Sequence, residues 1–397
     1  MSSKNLLSMA LTAAAAFLSF VVHADDTQAG VFELAKDNDL VIKATPAENV
    51  MYGLNGGNLT ISGADVVVTQ NIPADNTMAG ISFGDYWPWI EGTVTVENGA
   101  TLTSDTQLFR GSNVAEDENK TKVRKLVVRS GAKVRFVPEG NRVDIISLEN
   151  ASVENAWVVV EGAGSSLVLP KDTYLANKSS KPAHYGKLEV LNGALVEGGS
   201  LYPGFRTGHV ILTVDGGTLR FTGGISFYKD NREWPTSIVK FKNCTVEVPF
   251  YKVYYPYLNH NSSAEFDGAL FRPIGTSAAK FIDASPVGDP RCPHILTGAG
   301  LIVEAPENIT LEVAAKFDGD GGFTKRGAGT VVLSANNEYT GTTKVESGKL
   351  EITGSLSGAL AVSAGAEAVF SSVPVLPAMS IAEGGRVSVV GYGAAAI

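Results

Sequence analysis

The chain has 397 residues, 43 of them glycine and only five methionine, with a net charge of −9. Its length admits two ordinary domains or one elongated solenoid, whose growth no single core limits. The acidic balance argues against nucleic acid as a partner, because such binding neutralises phosphates with lysine and arginine, while the many glycines with abundant Val, Thr and Ser indicate a β-rich, turn-rich chain.

At the N-terminus Lys4, the apolar run from Leu6 to Val22, and Val22-His23-Ala24 predict a secretory signal over residues 1–24, cleaved after Ala24. The run falls short of the roughly 20 apolar residues a membrane span needs, and it holds Ser8, Thr12 and Ser19. Residues 25–55 contain two short apolar stretches, Val31 to Leu34 and Leu40 to Ile42. They are expected to form an N-terminal cap and first coil, since the end repeat of a solenoid must cover an otherwise open core.

Over residues 56–232 one phrase recurs: alternating aliphatics, a polar residue, Gly, a small residue, then aliphatics again. It reads Val94-Thr95-Val96-Glu97-Asn98-Gly99-Ala100-Thr101-Leu102, then Leu126 to Val134, Val158 to Leu167 with an insertion, Leu188 to Val196, and Leu212 to Leu219. The marker valines fall at 96, 128, 160, 190 and 214, in steps of 32, 32, 30 and 24. A repeat of 20 to 50 residues is the signature of stacked coils that bury their faces only against their neighbours. Each phrase then describes a strand, a glycine corner and a second strand with side chains alternating inward.

Residues 233–295 lack the phrase and carry Pro273, Pro286, Pro290 and Pro293, so distorted coils with large loops are expected there. Cys244 and Cys292 either pair across two coils in an oxidising compartment or stand as two buried thiols; sequence leaves both open. Aromatic clusters recur between phrases: Tyr86, Trp87 and Trp89, then Tyr202, then Tyr251, Tyr254, Tyr255 and Tyr257. These eight are the candidate ligand-contact residues, offering flat faces to sugar rings or a partner protein. The competing reading is an internal stack, the natural result when equivalent positions of successive coils lie above one another.

Regularity returns over residues 296–397. From Gly321 to Ile352 two short β-type runs flank a polar turn, and the residues Gly321, Gly322, Thr324, Lys325, Gly327, Gly329, Thr330, Leu333, Ser334, Asn337, Tyr339, Thr340, Gly341, Thr343, Val345, Gly348 and Leu350 form one pattern. That pattern resembles the autotransporter-associated β-strand repeat. The resemblance implies a right-handed, single-stranded parallel β-helix in a protein exported to the bacterial surface. Passengers of that family usually precede a C-terminal membrane barrel. No such region is expected before Ile397, so the chain is a truncated or split product, is secreted by another route, or stays in the periplasm.

Chemistry-bearing patterns are sparse. His184, His209, His260 and His294 show no metal-ligand spacing and are expected to be solvated loop residues. No Gly-x-Ser-x-Gly elbow is found. Asp318-Gly319-Asp320-Gly321-Gly322 hints at a calcium loop but lacks the other ligands, so a polar turn is the better reading. Asp144, Asp215, Glu247 and Asp267 are carboxylates of the kind β-helix polysaccharide enzymes use, but sequence does not bring them together.

The expectation is therefore an all-β solenoid with no catalytic residues, cofactor or metal: an exported structural or adhesive protein whose partners are surface glycans or proteins. The alternative is a polysaccharide lyase or glycoside hydrolase-like β-helix, with carboxylates and basic residues along one parallel sheet.

Overall fold

In the computed structural model, residues 19–22, 30–35, 39–43, 45, 50–70, 91–104, 123–136, 142–144, 155–169, 172–175, 185–203, 209–227, 236–254, 262–275, 280–285, 292–371 and 375–390 are described. Among them the regular structure is strand alone, and the strands pair in parallel. The fold is a parallel β-helix. Contacts divide the chain into two units, residues 1–199 with 205–209 and residues 200–204 with 210–397.

In the first unit one ladder runs through Asp39–Ile42, Val50–Ser62, Glu91–Glu97, Val123–Arg129, Asn155–Glu161 and Tyr185–Leu191. A second ladder joins Val67–Gln70, Thr101–Ser104, Lys133–Phe136 and Ser166–Leu169 to the start of Leu195–Tyr202. Ser19–Val22, the end of the apolar N-terminal run, pairs along Asp39–Ile42; the rest of the expected signal and its cleavage point lie outside the described residues.

The corners explain the phrase. Asn98 and Gly99 have φ of 56° and 80°, Ser130 and Gly131 54° and 78°, and Asn192 and Gly193 54° and 83°. Each pair is the middle of a tight turn closed by a main-chain bond, such as Ala100 N to Glu97 O at 3.1 Å and Ala194 N to Leu191 O at 3.1 Å. Two consecutive left-handed residues favour Asn followed by Gly. The small residue that follows, Ala100, Ala132 or Ala194, is fully buried.

Beyond the corners, alternation delivers the core. Val96 stands opposite Val128, Val128 opposite Val160, and Val160 opposite Val190, and all four are fully buried. Each enclosed aliphatic side chain contributes about 1.5–3 kcal/mol relative to exposure, and the stack extends that contribution coil by coil.

In the second unit the corresponding ladder comprises His209–Asp215, Ser237–Lys242, Ser263–Asp267, His294–Leu296 and Phe317–Gly319. Two further series complete each coil. One contains Thr245–Glu247, Ala269–Arg272, Leu301–Glu304, Phe323–Arg326, Thr343–Val345, Leu360–Val362 and Met379–Ile381. The other contains Tyr251–Tyr254, Lys280–Ser285, Thr310–Val313, Thr330–Leu333, Lys349–Ile352, Glu367–Ser371 and Arg386–Val390.

The described residues between 236 and 295 continue the ladders, with one register shift between Lys280 and Ile282, and the loops expected in this passage lie outside the described residues. The missing phrase reflects an aromatic core in place of an aliphatic one. Val214 faces Phe241, and Phe241 faces Phe266. The rings of Phe241 and Phe266 lie 5.5 Å apart, and Tyr251 sits edge-on to Phe227, Phe241, Phe266 and Phe271 at 5.6, 6.1, 6.2 and 5.7 Å.

Candidate functional site

Tyr251 is fully buried in the ring stack, which corrects the exposed reading: its face meets other rings. Tyr202 is half-buried at the end of Leu195–Tyr202, and Tyr254 ends the strand Tyr251–Tyr254. Tyr86, Trp87, Trp89, Tyr255 and Tyr257 lie outside the described residues. Cys244 and Cys292 are both buried, and no disulfide joins them. Burial, with the Asp215 charge, pushes the Cys244 thiol up to about 12, which keeps it protonated and inert.

His294 overturns the solvated-loop expectation. It is 1% exposed, stacked on Phe266 at 5.9 Å and edge-on to Tyr251 at 6.0 Å and Phe317 at 5.7 Å. Burial pulls its pKa to about 4, so the ring is neutral. His184 and His260 lie outside the described residues, as does the His209 side chain. Asp318 belongs to a strand, Phe317–Gly319, rather than a turn. Burial raises its pKa, and Lys316 lies 3.9 Å from it while pairing with Glu338 at 2.6 Å.

The carboxylates do not converge. Asp215 is 3.7 Å from Lys242, Asp267 accepts a bond from Ala299 N at 2.9 Å, and the Asp144 side chain is not described. Glu247 alone gathers a cluster. Ladder register sets it between Arg220 and Arg272, with Nε bonds of 2.5 Å from Arg220 and 2.9 Å from Arg272. Although burial opposes ionisation, both guanidiniums bond to the carboxyl and hold it below the usual range. A carboxylate so held is a poor proton donor or acceptor at neutral pH, where a general acid or base needs a matched pKa. Replacing Glu247 by Gln should cost about 1–2 kcal/mol in urea unfolding, from loss of charged hydrogen bonds.

The densest convergence of sequence-selected residues is the corner-rich segment from Phe323 to Ile352. Val331, Leu333, Leu350 and Ile352 are fully buried along two neighbouring strands. The polar members of the pattern turn inward as well. Asn337 is 1% exposed; its Oδ1 accepts from Phe317 N at 3.0 Å and its Nδ2 donates to Ala335 O at 3.1 Å. Tyr339 is fully buried with its hydroxyl 2.6 Å from Thr343 Oγ1, and burial raises its pKa. Lys325 is fully buried and donates to Gly327 O at 2.5 Å and Ser347 O at 2.9 Å.

Close coil stacking accounts for the glycines. A β-carbon on Gly329 would lie 2.0 Å from Pro306 O and 2.4 Å from Ile309 O, so no larger residue fits there without moving main chain.

Residues 323–352 match the family model for the passenger-associated-transport-repeat. The segment is similar to a passenger repeat. No curated protein and no solved structure matches the chain. The repeat supports the resemblance to autotransporter passengers, and a passenger repeat on a parallel β-helix fits an exported, passenger-type surface protein. Of the two buried ionisable residues, His294 departs from its expected place in a solvated loop, and the burial of Lys325 was not anticipated. For Lys325 a signal existed: it lies two positions from Phe323 on the same strand face, the inward one.

Proposed function

We propose that this protein is a non-enzymatic, exported repeat protein that serves as a structural or adhesive element at the bacterial cell surface. The observation that carries the reading is the inward use of the repeat's polar residues. Asn337, Tyr339, Thr343 and Lys325 bond to main chain or to each other inside the coil, which leaves this pattern as a means of building the helix rather than of doing chemistry. Stacked coils then supply long outward ladders for contact with surface glycans or proteins.

The polysaccharide-active alternative draws on the Arg220–Glu247–Arg272 ladder, where carboxylate and basic groups do share one sheet. Its weakness is electrostatic: Glu247 is already engaged by two guanidiniums. Purified protein incubated with acidic and neutral polysaccharides is expected to leave chain length unchanged. Reproducible cleavage that disappears in Glu247→Gln would replace the structural reading with the enzymatic one.

A further inference from the structure

Lys325 occupies a position that alternation reserves for an apolar side chain. It stands between Val303 and Val345 in the ladder, and Val345 in turn faces Val362. The three valines are buried, and so is the lysine. Burying an ammonium among valines is unfavourable unless its hydrogens find strong acceptors. They do so at the adjoining corner, in the carbonyl oxygens of Gly327 on its own coil and Ser347 on the next.

The room for this contact comes from a missing β-carbon. Gly348 has φ of +65°, and a β-carbon there would stand 2.5 Å from Lys325 Nζ and 2.5 Å from the carbonyl oxygens of Gly327 and Gly329. The Ser347 hydroxyl also donates to Gly327 O, at 3.2 Å. Two main-chain oxygens, contributed by two successive coils, thus accept from the ammonium, and Gly329 O, which accepts from Lys349 N at 3.1 Å, borders the same corner. These carbonyl dipoles favour a cation, and burial lowers the lysine pKa to about 8, so the charge is present at neutral pH.

We infer that the corner formed by residues 327–329 and 347–348 is a cation-binding cage of main-chain carbonyls, filled by the Lys325 ammonium, which fastens one coil to the next in a single register. The series Leu301–Glu304, Phe323–Arg326, Thr343–Val345 and Leu360–Val362 is built of short, similar strands. In a pairing slipped by one coil the ammonium would leave Ser347 O for the neighbouring corner at residues 363–365. The native register is the one in which Gly327 O and Ser347 O both accept from it.

Chemical rescue tests the cage. Lys325→Ala in the full chain leaves a channel of the side chain's width, and propylammonium has the missing carbons and charge. The variant should melt several degrees below the parent, and propylammonium chloride should restore part of that loss. Propanol, and sodium chloride at the same ionic strength, should not. Lys325→Met, which keeps length but not charge, should melt below the parent. If Lys325→Ala does not fold alone, the additives are supplied during refolding, and recovery of a cooperative transition with propylammonium only is expected. Parent-like melting of Lys325→Met, or equal rescue by propanol or sodium chloride, or no rescue by propylammonium in either format, would overturn the cage.

Discussion

Replacing Gly329 by alanine is expected to destabilise the second unit by at least about 3 kcal/mol, at the upper end of what overpacking does. The added carbon would meet two main-chain oxygens, Pro306 O at 2.0 Å and Ile309 O at 2.4 Å. Neither belongs to a flexible side chain that can swing aside. Gly365 provides the contrast: its φ is +73°, but no atom lies within 4 Å of where its β-carbon would be. Alanine there should cost only the left-handed backbone, about 1–2 kcal/mol. Urea unfolding of both variants followed by circular dichroism separates the two effects. A larger loss at Gly365 than at Gly329 would mean that coil stacking is not as close as described.

Acid should weaken the same unit through His294. In the unfolded chain the imidazole titrates near 6.5, whereas in the aromatic stack burial pulls it to about 4. Between those values the unfolded state binds the extra proton. Stability is therefore complete above pH 6.5, falls as pH drops through the window, and levels off near 4, a total change of about 3 kcal/mol at ~1.4 kcal/mol per unit. Glu247, held below its ordinary 4.5, adds its own loss at lower pH, and Asp318, which is held up, acts with the opposite sign. Comparing the parent with His294→Leu cancels both. The variant should show a flatter profile between pH 6.5 and 4; an unchanged slope would place the acid sensitivity elsewhere.

Much of the solenoid was legible because its corners are chemically demanding. The Asn-Gly and Ser-Gly pairs at 98–99, 130–131 and 192–193 mark turns that need two left-handed residues, and the marker valines before them proved to be ladder partners. The repeat at 323–352 was legible for the same reason: glycine at positions such as 329 has no substitute. What sequence hid was the core of the described residues between 236 and 295, where Phe241, Phe266 and Tyr251 replace the aliphatic phrase. His294 and Lys325 were hidden by residue type. Both lie on inward positions by the two-residue period, next to Leu296 and Phe323 respectively, but a charged or titratable residue is ordinarily assigned to solvent. Position on the strand, not polarity, decided both.

An exterior of ordered ladders and an interior that holds the repeat's polar groups together fit the proposed role of a surface scaffold. Measuring whether intact source cells display the chain tests that most directly. Cells treated with an impermeant protease should lose the full-length protein, detected by antibody against residues 25–397, while periplasmic and cytoplasmic markers survive. Survival of the chain in intact cells, with digestion only after lysis, would contradict surface presentation.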